Sequence, residues 1–337
     1  PGLFAFKLDP NDVVEIHYVN GQLLLGQIYY VVEDQIPTYN DYLQANGNAD
    51  VVNDSITIAA REMDSRNDAS IRLRAEQDPS NLYYNTQFLR LNVIFGESWQ
   101  NSGQAVTYKV DVETSGYYYI SFKYRQYMIK DMAVFRKIKI DGVVPFDLLE
   151  SYAFPYTVSF MNRTLVDENN EGLKIYLEAG SHDLTMEAVN YPYRQTIETV
   201  QYVMSEIQKL SLSIKRYTSG GTDRYRDWDI EAYFPTASSD ILDWAALLTQ
   251  TYTRLLPLSN VKEPSEIGNL KVAATRLTNI ANDINKLPSR MVQFSDGDSS
   301  VNQMLGNLMQ RLMRSSLELE RIVVHGEDAI AKPYSNF

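Results

Sequence analysis

Apolar and polar residues alternate through the first half of the chain, as they do in strands with one buried face. The stretches VTYKVDV (106–112) and GYYYISFKYR (116–125) both show this period, with the turn ETSG between them. Further strands are predicted at 55–62, 69–76 and 134–146, and 172–190 is predicted as a hairpin around EAGSH. Short strands at this spacing, without helices between them, predict an antiparallel β-sandwich.

The apolar period changes to that of an α-helix near residue 194. Helices are predicted at about 194–217, 239–256 and 265–287, and a fourth carries its apolar stripe from Val301 to Leu312. Pro288 ends the third helix, because proline interrupts helical hydrogen bonding. Each helix has one apolar stripe, so the four are predicted to pack as an antiparallel bundle.

Two segments of equal length resemble each other: GLFAFKLDPNDVVEIHYVN (2–20) and GLKIYLEAGSHDLTMEAVN (172–190). After the first copy a strand follows at once, whereas the corresponding strand after the second copy, SLELERIVVHGED (316–328), comes only after the helices. The helical bundle is therefore predicted to be an insertion into the last hairpin of the sandwich.

This repeat sets the predicted domain organisation. It consists of the C-terminal strands of a preceding homologous sandwich at 1–32, a linker at 33–50, the sandwich at 51–190 and 316–328, the inserted bundle at 191–315 and a tail at 329–337. We accordingly expect the chain, which begins at Pro1, to be a fragment of a longer protein.

Charge and cysteine content narrow the functional classes. The net charge of −12 argues against nucleic acid or an anionic membrane surface as a partner. The absence of cysteine excludes a disulfide framework, thiolate zinc sites and a cysteine nucleophile. No apolar run reaches the length of a membrane helix, so no transmembrane segment is predicted.

The strand pattern resembles the galactose-binding-like carbohydrate-binding modules. The matching pieces are SITIAARE, WQNSGQAVTYKVDVETSGYYYISFKYR, RKIKIDG, IYLEAGSHDLTMEAVN and LELERIVV. The resemblance implies a mixed β and α fold class, an antiparallel jelly-roll sandwich with the helical bundle inserted before its last strand.

A further resemblance covers about residues 70–326. The pieces LRLNVIFGESWQNSGQAVTYKVDV, FRKIKIDGVVPF, TDRYRDWDIEAYFP, LPSRMVQF and SLELERIVV are similar to the N-terminal region of large extracellular solute-binding proteins of Firmicutes carbohydrate ABC importers. This implies a non-catalytic, glycan-handling protein attached to the surface of a Gram-positive cell by a lipid upstream of these residues. No solute-binding α/β domain is predicted here, so transport would belong to the parent protein.

A sugar site needs an aromatic plate and planar polar groups for the hydroxyls. The candidates in predicted loops and strand ends are Trp99, Tyr83, Tyr84, Arg125, Arg136, Tyr152, Phe154 and Tyr156. We expect Trp99 and Tyr152 to meet in the loops at one end of the sandwich. For any single aromatic residue, packing against the core is the commoner outcome and stays open as the alternative.

Other chemistry has weaker support in the sequence. No cofactor is predicted, although Glu62 is a candidate ligand for a structural Ca²⁺. The stretch TDRYRDWD (223–229 with Thr222) contains carboxylates that could act as a glycosidase pair, but a salt-bridged, capped connection between helices is favoured. His17, His182 and His325 follow no metal-ligand spacing.

Three functions remain open. The first is a non-catalytic module that binds an oligosaccharide or polysaccharide. The second is a docking module that positions a solute-binding domain, or another part of its parent chain, without binding sugar. The third is a glycoside-active enzyme, which has the least support because no acid–base pair stands out. We take the first as the prediction.

Overall fold

The alternating stretches form strands in the computed structural model, which describes residues 36–326 and 331–334. The strands are β1 (Ser55–Ala59), β2 (Ser65–Arg66), β3 (Leu73–Arg74), β4 (Val93–Ile94), β5 (Ala105–Val112), β6 (Gly116–Arg125), β7 (Val134–Ile140), β8 (Tyr152–Phe154), β9 (Met161–Thr164), β10 (Ile175–Leu177), β11 (Gly180–Val189) and β12 (Glu318–His325). The helices are α1 (Tyr39–Asn46), α2 (Tyr191–Tyr217), α3 (Ile230–Tyr233), α4 (Ala237–Leu255), α5 (Gly268–Ala281) and α6 (Val301–Leu312). The strands predicted at 1–32 lie outside the described residues.

The strands form two antiparallel sheets. The seven-stranded sheet has the order β10-β6-β12-β4-β3, with β1 also paired to β12 and β9 also paired to β6. The five-stranded sheet has the order β2-β5-β11-β7-β8. Strand β12 therefore lies inside the first sheet, although it is separated from the other strands by the helices.

The core lies where the alternating apolar positions of the two sheets meet. Tyr118, Ile120, Phe122 and Tyr124 alternate along β6 and are buried. The ring of Phe122 meets Phe154 of the other sheet edge-on at a centroid distance of 5.5 Å. This alternation is what the sequence pattern predicts for a sandwich.

Two predicted hairpins are corrected by the sheet topology. Strand β10 pairs with β6 in the seven-stranded sheet, whereas β11 pairs with β5 and β7 in the five-stranded sheet. The turn at 178–179 thus carries the chain from one sheet to the other, because both strands bury apolar residues in the same interlayer core. For the same reason β11 and β12 do not form a hairpin.

The helices α2 to α6 lie between β11 and β12 in the chain, so the predicted fold class is confirmed: an antiparallel sandwich with a helical bundle inserted before its last strand. Helix α2 packs against α4 and α6, and α5 packs against α4 and α6. None of the helices in the described residues is long and apolar enough to cross a membrane.

Two helical predictions differ from the structure. The third predicted helix ends earlier, at Ala281, and Pro288 lies in a following 3-10 segment, Ile284–Arg290. The stretch predicted as a linker contains α1, whose rings Tyr39 and Tyr42 pack 4.7 and 5.1 Å from the ring of Phe146. Aromatic burial thus orders a segment that has no apolar period of its own.

The bundle is joined to the sandwich by hydrogen bonds near the start of β7. The Tyr193 hydroxyl donates to the carbonyl oxygen of Ala133 at 2.6 Å, and the Ala133 amide donates to Leu258 at 3.2 Å. The hydroxyl and amide of Ser265 both donate to the Asp131 carboxylate. These bonds tie the start of α2, the segment after α4 and the segment before α5 to the residues that precede β7.

The close packing of the end of β12 against the residues before β1 can be tested by mutation. A Cβ atom on Gly326 would overlap the carbonyl oxygen of Val52, while the Gly326 amide donates to Asp54 at 2.9 Å. We expect Gly326→Ala to lower the free energy of unfolding by about 1–3 kcal/mol. Gly268→Ala is the matched control, because no atom lies within 4 Å of its added methyl group, and it should be neutral or stabilising by up to about 1 kcal/mol. Equal unfolding curves in urea for the two variants would contradict this close packing of Gly326 against Val52.

Candidate functional site

Trp99 and Arg136 come together, but in the core. Trp99 has no exposed surface, and its indole N–H donates to the carbonyl oxygen of Gln104 at 3.0 Å. The Arg136 guanidinium lies 4.0 Å from the centroid of the Trp99 ring. Both side chains are therefore buried, the outcome left open above for the aromatic candidates, and neither is exposed to bind a sugar.

Arg136 joins two distant parts of the chain. Its guanidinium donates to the Trp99 carbonyl oxygen at 3.1 Å, to the Ser315 hydroxyl at 2.9 Å and to the Phe135 carbonyl oxygen at 2.9 Å. No carboxylate of the described residues forms an ion pair with it, and burial lowers the pKa of Arg136 to about 9. The charge is thus stabilised by carbonyl oxygens, a hydroxyl and an aromatic face.

Tyr152 and Phe154 are also core residues. Both belong to β8, and their rings meet edge-on at 5.5 Å. Phe154 in turn lies 5.1 Å from the ring of Tyr124 on the opposite sheet. The two rings therefore pack in the core as part of a strand of the five-stranded sheet, and neither is exposed to stack on a sugar.

Tyr83 and Tyr84 lie in the loop between β3 and β4. Tyr83 is 40% exposed, and its hydroxyl donates to a carboxylate oxygen of Glu62 at 2.7 Å. The other Glu62 oxygen accepts from the Ala59 amide at 3.1 Å, so both oxygens of the proposed calcium ligand are used within the protein. In the described residues no group of three or more His, Asp or Glu is placed to hold a metal ion. A ligand role for the two tyrosines stays a prediction.

Arg125 belongs to a network of ion pairs on the outer face of the seven-stranded sheet. It contacts Glu318 at 2.6 Å and Glu76 at 3.0 Å, and Arg74 contacts the same two carboxylates. Burial raises the pKa of Glu318, although the two arginines oppose this effect. The charges of Arg125 are thus largely engaged inside the protein, and its ligand role stays a prediction.

Tyr156 lines a small cavity of about 160 Å³ between the sandwich and the turn after α4. Most of the wall is apolar, including Met132, Pro155, Pro257 and Leu258. A sugar hydroxyl would find few hydrogen-bonding partners in such a wall. The cavity is therefore a poor candidate for a sugar, and the ligand role of Tyr156 stays a prediction.

A second concavity, of about 350 Å³, is bordered by the loop before β5 and by the two ends of the inserted bundle. We call it the junction groove. Five of its six lining residues are polar, and the sixth is a methionine. They are Asn101, Ser102, Asn190, Gln310, Met313 and Arg314. Three of these residues carry a side-chain amide, one carries a hydroxyl and one a guanidinium, and none carries a carboxylate.

The topology brings these residues together. Asn190 stands between the end of β11 and the start of α2, whereas Arg314 follows the end of α6. The chain leaves the sandwich after β11 to form the bundle and returns to it before β12. Both connections lie beside the loop before β5. The Ser315 amide donates to the Gln100 carbonyl oxygen at 2.7 Å, and the Gly103 amide donates to Ala188 at 2.8 Å. These bonds fix the two borders of the groove.

Sequence reasoning did not find the groove residues. They come from three separate segments of the chain that share no sequence motif. None of them is aromatic, and an aromatic residue was the signal used to predict a sugar site. The one available signal was the insertion itself, since the residues at its entry and exit must lie near each other. Tyr191, which directly follows Asn190 and is 46% exposed, is the aromatic residue nearest to the groove in the chain.

The side chains around the groove are of the chemical kinds that suit a polyhydroxylated ligand. A side-chain amide offers two N–H donors and a carbonyl acceptor, so it matches a hydroxyl group that both donates and accepts. The side chain of Asn190 makes no capping hydrogen bond to α2. Met313, which is 45% exposed, adds an apolar surface for C–H groups.

The helical region matches a known family. Residues 195–312 match the family described as "Bacterial solute-binding protein, 4-helix bundle domain". The match covers most of α2 and all of α3 to α6. It agrees with the solute-binding part of the resemblance seen in the sequence. No curated protein matches the chain.

Solved structures with similar strands include carbohydrate-binding modules. A family 35 carbohydrate-binding module from Clostridium thermocellum is 14% identical, with a TM-score of 0.29, over 40% of this chain and 87% of that chain. A family 35 module from Paenibacillus barcinonensis is 14% identical, with a TM-score of 0.27, over 40% and 88%. A cycloisomaltooligosaccharide glucanotransferase of Paenibacillus sp. is 15% identical, with a TM-score of 0.29, over 41% and 17%. TM-scores below 0.5 say nothing about the ligand of this chain.

The burial of Trp99 leads to a stability prediction. Trp99→Ala removes a fully buried ring and leaves Arg136 without its aromatic contact. We expect a loss of about 3–5 kcal/mol in the free energy of unfolding, measured by urea denaturation. Tyr83→Ala, at an exposed site, is the control and should change stability by less than about 1 kcal/mol. An unfolding midpoint for Trp99→Ala equal to that of the unchanged protein would show that the ring is not part of the core.

Proposed function

We propose that the chain is a non-catalytic carbohydrate-binding module of a bacterial solute-binding protein, and that the junction groove holds the sugar. The observation that carries the proposal is the groove lining: three amides, a hydroxyl and a guanidinium around one concavity. This set of groups suits several neighbouring hydroxyls better than it suits an apolar ligand or a cation. The helical match supports the solute-binding context.

The wider setting belongs to the same proposal. We place the module outside the cell, attached to the surface of a Gram-positive bacterium through its parent protein, which would serve a carbohydrate ABC importer. Its partners would be an oligosaccharide or polysaccharide and the solute-binding domain of the parent. The resemblance of residues 70–326 to such proteins and the helical match support this setting.

A docking module is the second candidate function. The observation that favours it is the burial of Trp99, Arg136, Tyr152 and Phe154, which places four of the predicted ligand-binding residues in the core. Such a module would hold sandwich and bundle in one arrangement and present a surface to a protein partner. Saturable sugar binding separates the two candidates.

An enzymatic role has no support from the carboxylates of the 222–229 connection. Asp223 accepts a hydrogen bond from the Tyr225 amide at 2.9 Å, and Asp227 accepts one from the Asp229 amide at 3.0 Å. These carboxylates accept hydrogen bonds within the loop, whereas the first residues of α3 have no side-chain cap. In the described residues they form no ion pair, so the salt bridges predicted within this connection are not found.

Glycan binding tests the proposal. The chain should be screened on an array of plant, host and microbial glycans, and each hit measured by calorimetry. Asn190→Ala combined with Gln310→Ala should weaken binding about tenfold or more, since each lost hydrogen bond contributes about 0.5–1.5 kcal/mol. Gln208→Ala, an exposed amide on α2 away from the groove, should leave affinity unchanged.

This experiment has three informative outcomes. Loss of affinity in the groove variant with unchanged affinity in the control would support the groove. Equal affinity in all three proteins would place the sugar elsewhere. Silence across the whole array would contradict carbohydrate binding and favour the docking module.

A further inference from the structure

The far end of the helical bundle carries a second group of exposed aromatic residues. We call residues 217–234 the tip; they comprise the end of α2, the connection that follows it, and α3 with the residue after it. Helix α2 has 27 residues, so the tip lies about 40 Å from Asn190 at the start of that helix. The tip is therefore a separate surface from the junction groove.

Three tyrosine rings are open to solvent at the tip. Tyr225 is 83% exposed, Tyr233 is 63% exposed and Tyr217 is 37% exposed. The rings of Tyr217 and Tyr233 lie 4.3 Å apart, and Phe234 packs edge-on against Tyr217. The Arg224 guanidinium lies 4.7 Å from the centroid of the Tyr225 ring and holds that ring in place. The exposed faces of these three tyrosine rings do not contribute to the core of the bundle.

The connection that carries Tyr225 packs on a buried ring. Trp228 is buried beneath it, and its indole N–H donates to the Asp223 carbonyl oxygen at 3.0 Å. Gly221 approaches the Trp228 ring so closely that a Cβ atom there would overlap it. Asp229 adopts a left-handed backbone with φ of 53°, supported by the bond from its amide to Asp227. A ligand would thus meet an ordered surface, which reduces the entropy lost on binding.

Polar groups of both signs stand beside the rings. Arg224 and Arg226 are exposed, and in the described part of the chain neither forms an ion pair. Exposed carboxylates of Asp227 and Asp229 lie in the same connection. A surface with both donors and acceptors suits hydroxyl groups, whereas a surface of one sign would suit an ion.

From these observations we propose that the tip is a second saccharide-binding site, which takes neutral sugar rings stacked on Tyr225 and Tyr233. This inference rests on the proposed function only in assuming that the ligand of the chain is a saccharide. The aromatic face would cover the C–H face of a pyranose, and Arg226 and Asp227 would bind its hydroxyls. Two sites about 40 Å apart would let one long polymer occupy both, so the polymer would bind more tightly than a short oligosaccharide.

Affinity electrophoresis tests the inference with three neutral polysaccharides: galactomannan, mixed-linkage β-glucan and pullulan. The proteins compared are the unchanged chain, Tyr225→Ala with Tyr233→Ala, and the groove variant Asn190→Ala with Gln310→Ala. Tyr202→Ala on α2 is the matched control, because that ring is 52% exposed outside the tip. We expect the tip variant to bind the retained polymer at least tenfold more weakly, while Tyr202→Ala binds as the unchanged chain does.

The outcomes separate this inference from the proposed function. Unchanged affinity in the tip variant, with loss in the groove variant, would overturn the second site and leave the groove standing. Loss in the tip variant alone would support the tip and remove the sugar from the groove. Failure of the unchanged chain to bind any of the three polymers would overturn the tip as a neutral-saccharide site. If the unchanged chain binds none of the three polymers but binds another class of glycan on the array, the groove proposal still stands. A protein partner would then become the candidate occupant of the tip.

Discussion

The buried guanidinium of Arg136 holds together the two parts of the chain that border the junction groove. It binds the Trp99 carbonyl oxygen in the loop before β5 and the Ser315 hydroxyl after α6. A buried charge without a carboxylate partner is costly, so its carbonyl and aromatic contacts have to be retained together. The positions of Asn101 and Arg314, a few residues away on either side, therefore depend on this one side chain.

The insertion follows from the same geometry. Strands β11 and β12 lie in different sheets, so the chain must pass from one sheet to the other between them. The helices of the bundle form this connection. Because entry and exit are tied to the loop before β5, the polar residues at Asn190 and Gln310 face a common concavity. A site of this kind arises from the meeting of two folding units, which is a frequent place for ligand sites in proteins.

Much of the fold could be predicted from the sequence, because alternate positions of β5 and β6 carry the apolar residues that form the core, and the helices have one apolar stripe each. Partner strands were harder: the turn at 178–179 looks like a hairpin turn, and only the interlayer core shows that it joins two sheets. The site could be predicted least. Trp99 and Tyr152 stand where loops are expected, and their burial depends on neighbours that are remote in the chain, while the groove residues share no local pattern.

The most direct test of the central claim is hydrogen–deuterium exchange of the full chain, with and without the glycan that it binds most tightly. If the junction groove holds the sugar, the ligand should slow amide exchange at residues 99–104, 190–194 and 310–316 together, because these segments border one concavity. Slower exchange confined to the loop around Tyr83 and Tyr84, with none of the three groove segments affected, would contradict the account.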